Sequence, residues 1–382
     1  MNLITYNKQY LNNSDKGAVK NVLNQKLLTN GLSVQKFEKK LKNFLDVKYC
    51  TTCVNGTAGL HLAFEALDLK QNDIIIMPII NFISSFSMAR LYNLKIYFAD
   101  VEKKTGQLSP ETLIHCIKKN KIKNIKAIIN MYMGGYPENI LNFQKLKKKY
   151  GFYIIEDACH AFGSAYKYKD KFTKIGSCKH SDICVFSYHP VKTITTGEGG
   201  SVSTNNFKFY KRMIEFKNHN IIRKNKYWDY DISKLAFNYR LSDLNCALGL
   251  SQIKKINFFL KKRKEIFEEY NKQLSKNNTN IQMIKYDKKT KPSFHLGLID
   301  LKLKKKNKET FIKYLNRNNI YPQYHYKPLN LFKCNRRLNL KLNKFEGAEY
   351  YFKNFISLPI YVNLKKTEIK KICKVISNFY NN

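Results

Sequence analysis

Lys192 lies in the run Ser187-Tyr188-His189-Pro190-Val191-Lys192-Thr193-Ile194-Thr195-Thr196-Gly197-Glu198-Gly199-Gly200, a tight turn of small, hydroxyl-bearing and glycine residues just past an apolar stretch. Most lysines are solvated surface charges. One whose neighbours and desolvation lower its pKa becomes a nucleophile and condenses with carbonyl groups. A second segment, Phe152-Tyr153-Ile154-Ile155-Glu156-Asp157-Ala158-Cys159-His160, is an apolar run ending in two carboxylates. Such a strand delivers Asp157 to the carboxyl edge of a sheet, where a carboxylate needs a cation or several donors or else caps a helix. A third segment, Asn55-Gly56-Thr57-Ala58-Gly59-Leu60, reads as a turn opening a helix. Its free N–H groups and positive dipole end would cradle a phosphate, with the Thr57 hydroxyl as a further donor; the bland alternative is an ordinary glycine turn.

Familiar nucleotide loops do not occur. The chain has no Gly-x-x-x-x-Gly-Lys-Ser/Thr, and Gly197-Glu198-Gly199-Gly200 is followed by a strand pattern where a dinucleotide fingerprint needs a helix. ATP hydrolysis and NAD chemistry both lose support.

The three segments need a scaffold, and the chain supplies one. Short apolar runs at 74–77, 94–99, 127–131, 152–155, 183–187 and 200–204 read as strands. Amphipathic stretches of helical period at 58–67, 111–119 and 140–149 lie between several of them. This alternation predicts an α/β fold with a mostly parallel central sheet covered on both faces, and ligands collect beyond the carboxyl ends of such strands. A long helical pattern at 241–270 leads to a polar loop at 275–292. A smaller α/β domain follows, with a strand at 294–303, helices at 308–318, 346–355 and 367–380, and a proline-punctuated stretch at 321–328. The expected division is a large domain over 14–250 and a small one over 251–382, with residues 1–13 packing on the small domain or the substrate site.

Composition narrows the classes further. An apolar content of 43% with 14% aromatics excludes a disordered chain. The longest apolar stretch, 74–83, is broken by Pro78 and Asn81 and is too short to span a bilayer. The start, MNLITYNKQYLNN, lacks a secretory pattern, so a soluble cytoplasmic protein is expected, with no membrane partner. The net charge of +41 is carried mostly by lysine, with only eight arginines. That composition favours a solvated surface over a nucleic-acid footprint, while still drawing in anionic substrates. A non-catalytic, basic nucleic-acid-binding protein is the rival class. The nine cysteines are expected to be reduced. Cys50-Thr51-Thr52-Cys53 has no second pair to complete a zinc site, so a buried strand is expected there and no metal.

Taken together, the segments resemble the DegT/StrS-type sugar aminotransferases, pyridoxal-phosphate enzymes of the aspartate-aminotransferase fold (fold type I). Further points of resemblance are Leu27-Leu28-Thr29-Asn30-Gly31, Phe237-Asn238-Tyr239-Arg240-Leu241-Ser242-Asp243 and Ser357-Leu358-Pro359. The His-Pro-Val-Lys-x-Ile-Thr-Thr run and His325-Tyr326-Lys327-Pro328 look most like the branch that aminates C4 of a UDP-linked 2-acetamido-2,6-dideoxy-4-hexulose, on the way to pseudaminic acid.

The resemblance implies a role for each matching residue. Lys192 would hold the cofactor covalently and, once released, move the proton between the α-carbon of L-glutamate and the cofactor's C4′. Asp157 would keep the pyridine nitrogen protonated. His160 would sit near the ring hydroxyl, Phe82 would stack on the ring, and Thr57, the Ala58 amide and Ser187 would bind the phosphate. Asn238 would reach the phosphate in a neighbouring subunit, which implies a homodimer with composite sites. Tyr6, Lys26, Thr29, His189, Arg240, His325, Tyr326 and Lys327 are the expected substrate contacts. Asn81 stands where Thr or Ser is usual, Asn30 where Gln is common and Tyr188 where Phe is common. A dTDP- or GDP-linked 3- or 4-keto sugar is the alternative substrate.

Overall fold

Ile- and Val-rich runs that alternate with helices can bury both faces only inside a covered sheet, and this chain forms one. In the computed structural model, which describes residues 3–226, 228–276, 281–302, 307–338 and 344–381, seven strands pair in the order Tyr49–Cys53, Gly200–Thr204, Ile183–Ser187, Tyr153–Asp157, Ile125–Met131, Ile74–Pro78 and Lys95–Ala99. Only Gly200–Thr204 runs antiparallel to its neighbours; the pairings from Ile183–Ser187 across to Lys95–Ala99 are all parallel. The strands at 183–187 and 200–204 begin and end where the apolar runs do. The run containing the two close cysteines is the buried edge strand Tyr49–Cys53, and all nine cysteines are free thiols.

Helices Gly56–Ala66, Pro110–Lys119 and Ile140–Tyr150 form where the helical period predicts them. The helical pattern at 241–270 resolves into Asp243–Lys254 and Ile256–Lys276, separated at Lys255. The expected division at residue 250 therefore falls inside the first of these. The stretch read as a loop at 275–292 also carries two short strands, Gln282–Met283 and Thr290–Lys291. The first joins Gly297–Asp300 and Phe355–Leu358 in a small antiparallel sheet. Part of that stretch, and residue 303 of the expected strand, lie outside the described residues. Helices Asn13–Val22, Leu32–Leu45, Ile83–Leu91 and Phe207–Phe216 were not anticipated. In Leu32–Leu45 the buried set Val34, Phe37, Leu41 and Leu45 has helical spacing, diluted by lysines that mask the apolar face.

Two polar anchors hold distant segments beside the sheet. The first is the fully buried carboxylate of Asp243, at the start of its helix, which accepts the backbone N–H groups of Gly31 (2.8 Å), Ser33 (2.8 Å) and Val34 (3.2 Å). It thereby satisfies the opening turn of Leu32–Leu45. A side chain at position 31 would place its Cβ 2.8 Å from Asp243 Oδ1 and would push on the carboxylate that makes these bonds. The Leu27–Gly31 and Phe237–Asp243 segments are thus two sides of one junction. The second anchor is Arg263, whose buried guanidinium donates to the carbonyls of Phe294, His295 and Ile360 and to Asn7 Oδ1. Together with the parallel pairing of Ile4–Thr5 on Ile320–Tyr321, it fixes the N-terminal segment against the C-terminal part of the chain.

Among the described residues, no helix is long and apolar enough to cross a membrane. Replacing the anchoring carboxylate tests the junction: Asp243→Ala is expected to lower unfolding stability by about 3 kcal/mol, because three buried amides lose a charged acceptor. Urea unfolding should show a lower midpoint with an unchanged slope.

Candidate active site

The carboxyl ends of the parallel strands converge on a cavity of about 770 Å³. Strand Tyr153–Asp157 ends there with Asp157, and Ile183–Ser187 ends there with Ser187. Because side chains alternate along a strand, Glu156 points away from Asp157 and accepts the Tyr132 hydroxyl at 2.6 Å. Asp157 is 2% exposed, accepts the Cys159 N–H at 3.3 Å and belongs to none of the ion pairs among the described residues. Burial raises its pKa above the ordinary carboxylate value. The Lys192 charge opposes this rise without forming an ion pair with Asp157, so the buried carboxylate can still take a cation in direct contact.

Lys192 lines the same cavity, on a loop locked by its own hydroxyls. Its N–H donates to the His189 carbonyl (2.8 Å), Thr195 Oγ1 donates to the Tyr188 carbonyl (3.0 Å), and Thr196 Oγ1 donates to the Glu198 carbonyl (2.7 Å). The Asn245 amide donates to the Thr196 carbonyl at 2.6 Å, tying the loop to the helix that Asp243 begins. Gly200 allows the close return: a Cβ there would lie 2.7 Å from the Phe186 carbonyl oxygen. Burial lowers the Lys192 pKa, against the opposing pull of Cys159 and Asp157. An amine poised in this way is a competent nucleophile.

At the start of helix Gly56–Ala66 the outcome differs in one detail from expectation. The Ala58 N–H is taken by the capping side chain of Asn55, at 2.8 Å, and so is engaged within the chain rather than offered to an anion. The amides of Gly56 and Thr57 have no acceptor within the helix, and both residues line the cavity. Thr57 Oγ1 lies 2.7 Å from Ser84 Oγ, and Ser187 sits close by, since a Cβ on Gly56 would come within 3.0 Å of Ser187 Cβ. This group of N–H and hydroxyl donors suits a phosphate.

Phe82 is 47% exposed, lines the cavity and tilts against Tyr326, with ring centroids 5.5 Å apart. Tyr6, His160, His189, His325, Tyr326 and Lys327 complete the expected residues found there. Ala58, Lys26, Thr29, Asn238 and Arg240 do not line it. Lys26, Thr29 and Asn238 are exposed, and Thr29 and Asn238 form bridges to Ser242 and Asn218, so a single chain holds this set outside its own cavity. His295 and Gln323 are lining residues that sequence reading missed. His295 has no motif around it; only its burial against His160, at 4.4 Å between ring centroids, marks it. The buried Asp157 without a contact ion pair, the partly desolvated Lys192, the exposed Phe82 face and the donor cluster fit the ring nitrogen, aldehyde, ring and phosphate of pyridoxal 5′-phosphate. Among the described residues, no cluster of three or more His, Cys, Asp or Glu could hold a metal.

Three neutral imidazoles crowd one side of the cavity. Burial pushes His160 and His295 well below the ordinary histidine value. Burial, with the Lys192 charge, pushes His325 down to about 3. Unfolding therefore takes up a proton at His325 below pH 6.5, and the stability contributed by its neutral form is lost as pH falls towards 3. In His325→Gln this uptake is gone. The decline in stability between pH 6 and 4 should be shallower than in wild type by about 1.4 kcal/mol per pH unit, as read from denaturant titrations.

Known proteins share both the fold and the sequence. The chain is 35% identical over 372 residues to a UDP-4-amino-4,6-dideoxy-N-acetyl-beta-L-altrosamine transaminase of Campylobacter jejuni, covering 97% of this chain and 96% of that one. It is 29% identical to a GDP-perosamine synthase of Vibrio cholerae, over 92% of each chain. Among solved structures, Helicobacter pylori PseC, an aminotransferase involved in the biosynthesis of pseudoaminic acid, superposes with a TM-score of 0.89 at 29% identity, covering both chains completely. Residues 9–377 match the family description from near one end to near the other, and the chain belongs to the DegT/DnrJ/EryC1/StrS aminotransferase family.

Proposed function

We propose that this enzyme moves the amino group of L-glutamate to C4 of a UDP-linked 2-acetamido-2,6-dideoxy-4-hexulose, in the cytoplasm, as a step towards pseudaminic acid or a related surface glycan. The observation that carries the chemistry is the shared cavity of Lys192 and Asp157. The UDP-sugar assignment is supported by 35% identity to the Campylobacter transaminase over almost the whole chain.

When bound, pyridoxal phosphate supplies an aldehyde that takes up the amino group and a protonated ring that accepts electrons from the donor's α-carbon. Lys192 supplies the amine that holds the cofactor and, when free, the base that moves the α-proton. The Asp157 carboxylate would hold the proton on the ring nitrogen, and in doing so would gain a countercharge in direct contact. Thr57 and Ser187 would bind the phosphate, and Phe82 would lie against the ring. His189 and Lys327 give the cavity lining positive or hydrogen-bonding groups for a sugar diphosphate. A GDP-linked keto sugar is the second reading, favoured by the 29% identity to GDP-perosamine synthase.

In this reading residues 14–250 form the large cofactor-binding domain and residues 251–382 the small C-terminal domain. The proposed assembly rests on an apolar surface. The hairpin Ile221–Arg223 and Tyr230–Ile232, with Leu235 and Phe237, carries large side chains that are 40% exposed or more. A stable monomer rarely leaves such a patch bare. A second copy seated there brings its Asn238 and Arg240 towards the other copy's site and forms the homodimer.

Protein incubated with pyridoxal phosphate should gain a visible absorbance that L-glutamate bleaches, and Lys192→Ala should show neither behaviour. A wild-type protein that stays colourless contradicts the proposal. The aminated enzyme should then react faster with the UDP-linked ketosugar than with GDP- or dTDP-linked ones. Steep, salt-dependent binding to unrelated duplexes with no aminotransfer would favour the nucleic-acid class. For the dimer, mixing inactive Lys192→Ala with inactive Asn238→Ala chains should restore activity up to about a quarter of wild type through hybrid sites; no recovery after verified subunit exchange would rule out composite sites.

A further inference from the structure

The position of one hydrogen on a buried imidazole decides where a tyrosine hydroxyl points. His160 is buried, and its Nδ1 accepts the backbone N–H of Gly134 at 3.3 Å. A backbone N–H can only donate, so Nδ1 carries a lone pair and no hydrogen. That excludes both the imidazolium and the Nδ1–H tautomer. Burial, with the Lys192 charge and His325 nearby, favours the neutral ring as well. The single ring hydrogen is then on Nε2, which lies 2.8 Å from Tyr326 Oη. Nε2–H donates and the tyrosine oxygen accepts.

Tyr326 consequently keeps its own hydrogen and cannot give it to His160. Burial raises the phenol's pKa well above its ordinary value, so the hydroxyl stays protonated. No second partner for it is found among the described residues. Tyr326 lines the cavity with Lys192 and Asp157, so the unused O–H is available to an acceptor inside that space.

We propose that the Tyr326 hydroxyl is a fixed hydrogen-bond donor to the oxygen of the reacting carbonyl, and that Gly134 and His160 set its direction. The proposal deepens the function above and rests on it. Negative charge grows on a ketone oxygen as an amine adds to its carbon, and a pre-aimed donor stabilises that charge. The tyrosine gives up no proton; it supplies a hydrogen bond. His160 is a positioning residue that acts through Tyr326.

Three variants of the cofactor-loaded enzyme test this, with 2-oxoglutarate and the UDP-ketosugar as separate carbonyl substrates for the aminated form. Y326F should lower kcat by about 100-fold, the cost of losing one such donor, while keeping the cofactor's absorbance. H160Q should retain most of the rate, because a carboxamide can accept from Gly134 and donate to Tyr326, whereas H160L should fall with Y326F. Long-range proton–nitrogen NMR of labelled histidines should show His160 protonated at Nε2 alone. An Nδ1-protonated ring, or a Y326F enzyme with wild-type kcat towards 2-oxoglutarate, overturns the proposal. A wild-type enzyme that converts 2-oxoglutarate but no ketosugar overturns the functional reading instead.

Discussion

A carboxylate held out of water at the end of a central strand, with Lys192 near it but no ion pair in contact, is the constraint around which this molecule is arranged. The Cys159 N–H and the Lys192 charge offset part of the desolvation cost of Asp157, and a positive charge bound in contact with it returns more. The rest of the site follows from that position. Neighbouring parallel strands end at the same edge, so Ser187, the helix opening at Gly56 and the Phe82 turn arrive around it without a dedicated scaffold. Lys192 comes from the connection between the one antiparallel strand and its neighbour. Its loop closes back on the sheet through Gly200 and is braced by threonine hydroxyls bonded to its own carbonyls.

Much of this was legible because it depends on local chemistry. The apolar runs ending in Asp157 and Ser187 announce buried strands, and the glycines and threonines around Lys192 announce a tight turn. Helices such as Leu32–Leu45 were missed because lysine-rich faces dilute their periodicity. The ordinary capping chemistry of Asn55 was also overlooked, and it claims the Ala58 amide assigned to phosphate.

Long-range placement was not legible from residue patterns at all. Nothing near His295 or Gln323 signals a cavity; they arrive because the C-terminal part packs over the strand ends, held by Arg263. Asp243 shows the same lesson from the other side. Two segments more than two hundred residues apart share a junction because one carboxylate satisfies three amides of a distant helix start. Lys26, Thr29, Asn238 and Arg240 sit on or beside that junction and outside the chain's own cavity.

The most direct measurement compares cofactor affinity in wild type and Asp157→Asn, together with the stability of each cofactor-free protein. Because burial raises the folded pKa of Asp157 above its ordinary 3.8, the stability it contributes is present below that pH and lost as pH rises through the folded value. The asparagine protein, cofactor-free at pH 7, should therefore unfold at a higher denaturant midpoint than wild type, yet bind pyridoxal phosphate at least about tenfold more weakly, a difference of about 1.4 kcal/mol. Equal cofactor affinity in the two proteins would mean that the carboxylate is not there for the ring nitrogen, and would contradict the account.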